Sequence, residues 1–99
     1  MKKILFFSDK KPNSKLATFI YKISSKKEDL EKFPIIIFNE TFLSKKYLNS
    51  HISKNKICLI NFKRENKKNI SLVKKYNFFD YITEEDKKEV ILFKLNRVF

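Results

Sequence analysis

The sequence predicts a three-layer α/β fold, in which a parallel sheet of about four to five strands carries helices on both faces. Three short apolar runs, rich in β-branched and aromatic residues, are typical of strands buried on both faces of such a sheet. Segments with the spacing of amphipathic helices lie between the runs, as crossovers between parallel strands require. Each run also ends on a polar residue, and the carboxyl ends of parallel strands meet at one edge of a sheet, where ligands bind. The runs and their polar ends are 4–7 before Ser8 and Asp9, 35–38 before Asn39, and 57–60 before Asn61.

Four strands are predicted, three from these runs and one from a weaker apolar segment near the end of the chain. Pro12 and Pro34 interrupt the chain on either side of the first helical segment, and they separate the first strand from the second. The fourth strand follows a helical segment directly and ends before a group of acidic residues. The predicted strands are residues 3–8, 35–38, 56–61 and 78–82.

Four helices are predicted between and after the strands. Ser14 is a suitable N-cap for the first, because apolar residues follow it at helical spacing. The polar segment 25–32 either extends this helix or forms a short one of its own. Thr83 is a suitable cap for the last helix, whose first turn carries three acids, residues 84–86, at the positive end of the helix dipole. The predicted helices are residues 14–24, 41–53, 65–77 and 84–99.

The length and composition indicate a single domain. Its 99 residues suffice for one modest core, and 42% of them are hydrophobic. No apolar run approaches the ~20 residues that cross a bilayer, and the first run is too short for a signal peptide. The single cysteine excludes an intramolecular disulfide, so we expect a cytoplasmic protein. The last helical pattern stops without a cap residue, so we expect residues 1–99 to be a fragment whose last helix continues into a further domain.

The formal net charge of +12 raises the alternative of a basic nucleic-acid-binding domain. Two observations favour a different interpretation. Only two of the 23 basic residues are arginine, the residue that makes most bidentate contacts to bases and phosphates. The lysines are also spread along the chain, which is typical of solvated helix faces rather than of a docking stripe. We therefore expect protein partners rather than nucleic acid or a membrane.

Residues that carry chemistry are scarce. The chain has no glycine, which excludes the glycine-rich loops that hold phosphates, and its one histidine and one cysteine do not suffice for a zinc site. A Mg²⁺ ion at the strand ends would need several negatively charged oxygen ligands, but beside Asn39 and Asn61 only Asp9 supplies a carboxylate. An amide does not act as a carboxylate nucleophile does. The sequence therefore predicts no enzymatic activity, no catalytic residue, no metal and no cofactor.

Several segments resemble the receiver domain of bacterial response regulators. Residues 3–9 resemble its first strand with an acidic pair, and residues 33–39 resemble the strand that ends on the phosphoacceptor aspartate. Residues 57–62 resemble the strand that ends on the phosphate-sensing threonine or serine, and residues 77–85 resemble the last strand. The resemblance implies a flavodoxin-like fold, with Tyr81 at the switch-aromatic position. It also implies a degenerate phosphoacceptor pocket, formed by Ser8, Asp9, Asn39, Asn61 and Glu84.

Two departures from the family pattern bear on function. The stretch between Asp9 and Asn39 is too short for a helix, a strand and another helix, so residues 24–33 are expected to lack the family's second, edge strand. Glu84 replaces a lysine that would bind phosphate, and a negative side chain near Asp9 would repel an anion. The resemblance thus implies a pseudo-receiver in two-component signalling that is not phosphorylated.

The resemblance also implies how such a module would act. Degenerate receivers commonly form the N-terminal domain of larger signalling proteins, including those with a GGDEF diguanylate cyclase output domain. We expect a regulatory module that dimerises, or contacts an attached output domain, through its last helix and the neighbouring strand. Val90 and Phe93 fall off the apolar stripe of that helix and, with Arg97, form the candidate interface. The alternative is that they belong to the core or to the start of a coiled coil.

Overall fold

The computed structural model describes residues 3–42 and 56–98, and within these ranges strands alternate with helices. The strands are β1 (Ile4–Phe7), β2 (Lys22–Ser24), β3 (Ile35–Asn39), β4 (Ile57–Phe62) and β5 (Asp80–Thr83). The α-helices are α1 (Ser14–Ala17), α2 (Lys67–Lys75) and α3 (Lys88–Asn96), and short 3-10 helices span Lys27–Glu31 and Glu40–Phe42. None of the helices in these ranges is long and apolar enough to cross a bilayer. The predicted helix over residues 41–53 lies outside the described residues from position 43 onward.

The described strands form one parallel sheet in the order β2-β1-β3-β4-β5. This order is flavodoxin-like and confirms the predicted three-layer α/β class. In the register of β3 and β4, Asn39 lies beside Asn61. Because all the strands run in one direction, the residues that follow them lie at one edge of the sheet, the carboxyl edge. The residues that precede the strands lie at the opposite, amino edge.

The two faces of the sheet carry two separate apolar layers, because successive side chains of a strand point to opposite faces. Leu5 and Phe7 of β1 belong to the layer beneath α2 and the Lys27–Glu31 helix. Ile4 and Phe6 belong to the layer beneath α1 and α3. All four β1 side chains are at most 1% exposed, so this run is buried on both faces, as the sequence predicts.

The edge strand β2 corrects two predictions. The predicted helix over residues 14–24 is wrong beyond α1, and the expected absence of the edge strand is wrong as well. A backbone hydrogen bond of 2.9 Å from Tyr21 N to Ile4 O adds this segment to β1 at one end. A second, of 3.0 Å from Ser8 N to Ser24 O, adds it at the other end. The sheet therefore has five described strands rather than four.

The apolar pattern of this segment explains why a longer helix is predicted. Leu16, Phe19 and Ile20 all reach the layer beneath α1 and α3, from α1 and from the turn that follows it. The short helix α1 and the turn after it are therefore enough to bring all three side chains to this layer. Ile23 is 41% exposed at the edge of the sheet, so β2 lacks the apolar alternation that marks a strand. Pairing with β1 satisfies backbone groups that would otherwise be buried without partners.

The last helix begins later than predicted. α3 starts at Lys88, and residues 84–86 form a turn between β5 and α3. The Asp86 carboxylate accepts hydrogen bonds from the backbone N–H and the hydroxyl of Thr83, at 3.1 and 3.0 Å. This acid therefore closes the turn after β5 instead of lying in the first turn of the helix.

Candidate functional site

The carboxyl edge of the sheet brings together three of the predicted pocket residues. Ser8 follows β1 directly and is 1% exposed, and its Oγ accepts a hydrogen bond of 3.0 Å from Nδ2 of Asn39. The same Oγ accepts a second bond of 3.0 Å from the backbone N–H of Lys10. Asn61 lies beside Asn39 in the register and is 3% exposed. One hydroxyl and two amides thus lie together at the ends of β1, β3 and β4.

Asn61 is incompletely satisfied at this edge. Its Oδ1 is buried and has no hydrogen-bond partner among the described residues. A buried acceptor without a donor costs about 1–3 kcal/mol, which a water molecule or a donating side chain would recover. The sequence places this amide at the strand end, but its lack of a donor becomes visible only in three dimensions.

The two acids predicted for the pocket point to solvent. The carboxylates of Asp9 and Glu84 are exposed, and in the described ranges no hydrogen bond or ion pair joins either one to Asn39 or Asn61. Glu84 contributes its backbone instead, because its carbonyl oxygen accepts a hydrogen bond of 2.9 Å from Nζ of Lys15. Lys15, which α1 carries to the end of β5, is not predicted from the sequence.

A further acid at this edge was not predicted. Glu40 follows β3, and its Oε1 accepts a hydrogen bond of 3.0 Å from the backbone N–H of Lys63, just after β4. The carboxylate therefore stabilises the loop after β4. The described residues contain no group of three or more histidine, cysteine or acidic side chains that could hold a metal ion. Asp9 and Glu84 are exposed, and Glu40 accepts a hydrogen bond from Lys63, so these carboxylates do not gather around the two amides. The arrangement does not fit the Mg²⁺ that phosphoryl chemistry needs.

Tyr81, at the predicted switch-aromatic position, is held from three sides. Its hydroxyl donates a hydrogen bond to a carboxylate oxygen of Glu65, and its ring centroid lies 6.3 Å from that of Phe62. Lys94 of α3 places Nζ 4.3 Å from the centre of the Tyr81 ring and donates to the Tyr81 carbonyl oxygen at 2.7 Å. The hydrogen bond to Glu65, with burial, raises the pKa of Tyr81 to about 12. Neither Glu65 nor Lys94 was predicted, since no motif links them to Tyr81.

The outer side of α3 carries an exposed apolar face. Ile91, Leu95 and Val98 point to the core, whereas Val90 is 39% and Phe93 is 66% exposed. Val90, Phe93 and Arg97 follow one another at helical spacing, so they share one side of α3. We call Val90, Phe93, Arg97 and the 46%-exposed Phe79 the α3 face.

Arg97 joins the two elements of the α3 face. Its guanidinium lies 5.9 Å from the ring centre of Phe79 and 3.5 Å from Oδ2 of Asp80, at the start of β5. The exposure of Val90 and Phe93 excludes them from the core of this domain. Their role as an interface stays a prediction.

Comparison with known proteins identifies the fold. Neither protein-family models nor curated proteins match the chain. A solved structure described as the BeF3-activated DrrB receiver domain superposes with a TM-score of 0.68 and 14% sequence identity. The match covers 98% of this chain and 96% of that one. The chain therefore has the fold of a receiver domain, as its sequence resemblance implies.

Proposed function

We propose that this chain is a regulatory module of signal transduction that is not switched by phosphorylation and that acts through protein contacts of the α3 face. One observation carries the first half of the proposal. The residue at the end of the central strand β3 is Asn39, and its amide donates to the buried hydroxyl of Ser8. A receiver needs a carboxylate here, because the phosphoryl group is carried as an acyl phosphate.

The surroundings of Asn39 support the same conclusion. A phosphoryl group needs cations to neutralise its developing charge. The described residues form no cluster of three or more histidine, cysteine or acidic side chains that could hold a metal ion, and Glu84 at the end of β5 adds negative charge. Lys15 reaches this part of the edge, but its Nζ donates a hydrogen bond to the Glu84 carbonyl.

Incubation with acetyl phosphate and Mg²⁺, followed by mass spectrometry of the intact protein, tests the first half. We expect no phosphoryl adduct on the wild-type chain under conditions that label an active receiver domain run in parallel. The matched variant Asn39→Asp supplies the missing carboxylate and reports whether the rest of the edge still supports transfer. An adduct on the wild-type chain that maps to the carboxyl edge would contradict the proposal.

The α3 face supports the second half. Exposed aromatic side chains that surround an arginine are typical of the centre of a protein interface, where such residues contribute most of the binding energy. Isologous pairing of two copies would place Phe93 near its own counterpart across a two-fold axis. We infer that the partner on this face is a second copy of the chain, as part of a larger cytoplasmic signalling protein. This pairing would then regulate an attached output domain, for example a diguanylate cyclase.

Sedimentation velocity over a range of concentrations tests this pairing. We expect the wild-type chain to self-associate and Phe93→Glu to remain monomeric, because a charge at the centre of the interface would be buried unpaired. Leu92→Glu is the matched control, since Leu92 is 45% exposed on the other flank of α3. Equal association of both variants, or a wild-type chain that stays monomeric, would refute this half of the proposal.

A further inference from the structure

A cavity of about 520 Å³ lies at the amino edge of the sheet, opposite the polar strand ends. Three of its lining residues, Lys3, Tyr21 and Pro34, immediately precede β1, β2 and β3. The parallel strands therefore bring these three positions to one place. The volume lies within the range of about 300–1,000 Å³ that is usual for small-molecule sites.

Two aromatic rings form walls of this cavity. The ring centroids of Tyr21 and Phe33 lie 6.0 Å apart, with an angle of 50° between the ring planes. Phe33 is 8% exposed and anchored in the core, whereas Tyr21 is 60% exposed. The backbone N–H of Tyr21 donates to Ile4 O of β1 at 2.9 Å, so the backbone that carries this exposed ring is fixed to the sheet. The exposed part of the Tyr21 ring, beside the anchored Phe33, offers aromatic surface to a flat ligand.

Three ammonium groups line the same cavity. Nζ of Lys3 lies 4.5 Å from the centre of the Tyr21 ring, and within the described ranges Lys3 pairs with no carboxylate. Lys22 and Lys32 lie 3.3 and 3.9 Å from Oδ1 of Asp29, and their side chains remain 48% and 67% exposed. With one carboxylate against three lysines, the cavity carries a surplus of two positive charges.

Asp29 organises these charges instead of opposing an anion. Its side chain is 4% exposed, and it accepts hydrogen bonds from the hydroxyl of Ser24 and from Nζ of Lys22. The carboxylate is therefore already occupied by donors of the protein. Two lysines converge on it, and about half of the Lys22 side chain and two thirds of the Lys32 side chain stay open to solvent and to a ligand.

We propose that this cavity binds a small ligand in which a flat aromatic ring carries an anionic group, either a carboxylate or a phosphate. The ring stacks against Tyr21 and Phe33, and the anionic group lies among the ammonium groups of Lys3, Lys22 and Lys32. The site is independent of the polar strand ends and of the α3 face, so it goes beyond the proposed function. It gives the module an input by a ligand in place of an input by phosphorylation.

Titrations of the whole chain followed by ¹H–¹⁵N NMR test the site. Phenyl phosphate, inorganic phosphate and benzyl alcohol are the probes, because they separate the ring from the charge. We expect phenyl phosphate to shift the amides of Tyr21, Lys22 and Phe33 and to bind about tenfold or more tightly than either other probe. Benzoate should shift the same amides if the site takes carboxylates as well as phosphates.

Equal affinity for phenyl phosphate and inorganic phosphate would overturn the proposal, since charge alone would then explain binding. Shifts centred on Ser8 and Asn39 would overturn it as well, because they would place the anion at the carboxyl edge.

Two variants with a matched control locate the binding groups. Lys32→Gln removes an exposed ammonium from the rim and is expected to weaken phenyl phosphate binding by about fivefold. Tyr21→Ser removes a wall and should reduce the preference for phenyl phosphate over inorganic phosphate. Lys87→Gln, at an exposed lysine before α3, should change neither quantity. The dispersion of the NMR spectrum verifies that each variant is folded, and equal effects of Lys32→Gln and Lys87→Gln would refute the site.

Discussion

Lys94→Met tests the contact that holds α3 against β5 and so positions the α3 face. Nζ of Lys94 donates to Oδ2 of Asp86 at 3.1 Å and to the Tyr81 carbonyl at 2.7 Å, and it lies over the Tyr81 ring. The two charged side chains are only 16% and 17% exposed, so solvent screens the pair poorly. Methionine keeps the apolar stem of the side chain but removes the charge and all three contacts.

The expected loss in the free energy of unfolding of Lys94→Met follows from these contacts. Loss of hydrogen bonds from a charged donor costs about 1.5–3 kcal/mol, and a cation–π contact adds about 0.5–1 kcal/mol. The Asp86 carboxylate still has its two donors from Thr83, which limits the total. We expect a loss of about 2–3 kcal/mol in the free energy of unfolding. For a domain of this size, the midpoint of thermal unfolding should fall by about 10–15 °C.

Urea unfolding followed by far-ultraviolet circular dichroism measures this loss. Lys88→Met is the control, because Lys88 is an exposed lysine of the same helix, and its free energy of unfolding should change by less than about 0.5 kcal/mol. The double variant with Asp86→Asn should lose less than the sum of the single variants, because the two side chains interact directly. If Lys94→Met behaved like Lys88→Met, the proposed anchoring of α3 would be wrong.

Three further predictions concern groups with shifted pKa values. Burial raises the pKa of Cys58 to about 12, so the folded chain should react with a thiol reagent at neutral pH only as fast as it unfolds, and rapid labelling would contradict this burial. The pKa of Tyr81, raised to about 12, should fall toward its ordinary value in Glu65→Gln, as measured by phenolate absorbance. The contribution of the Tyr81–Glu65 hydrogen bond to stability should be complete below about pH 10 and lost as the pH rises toward 12. The hydroxyl of Ser24, with nearby lysines, lowers the pKa of Asp29 below 3.8, so this stabilisation should be complete above that value and lost as the pH falls through the lowered pKa. Urea midpoints should therefore fall less on acidification in Ser24→Ala than in the wild type, and equal falls would count against this hydrogen bond.

The central strands could be predicted from the sequence because burial on both faces demands continuous apolar residues. β1, β3 and β4 are such runs, and they occupy the inside of the sheet. β2 lies at an edge, spans three residues and leaves Ile23 half-exposed, so its sequence carries no comparable pattern. The helical spacing of apolar residues that begins at Leu16 also continues into β2, at Ile23, so the sequence predicts a longer helix.

The contacts within the candidate site could be predicted only in part. The ends of parallel strands meet by topology, so Ser8, Asn39 and Asn61 could be placed together from their positions alone. The bond between Lys15 and Glu84 joins positions 69 residues apart, and it depends on how α1 packs beside α3. No local pattern records such a contact.

The cavity at the amino edge of the sheet could not be predicted from the sequence either. Tyr21, Lys22 and Phe33 look like ordinary edge residues in the sequence, and only the pairing of β2 with β1 turns them into the wall of a cavity.

An NMR titration of the chain with Mg²⁺ and beryllofluoride, which mimics a phosphoryl group on aspartate, tests most directly whether this module acts without phosphorylation. The amides of Ser8, Asn39 and Asn61 report on the carboxyl edge, and those of α3 report on the proposed interface. We expect neither set to shift, because Asn39 has no carboxylate to receive the mimic. Saturable, Mg²⁺-dependent shifts that are centred on Asn39 and extend to α3 would contradict it.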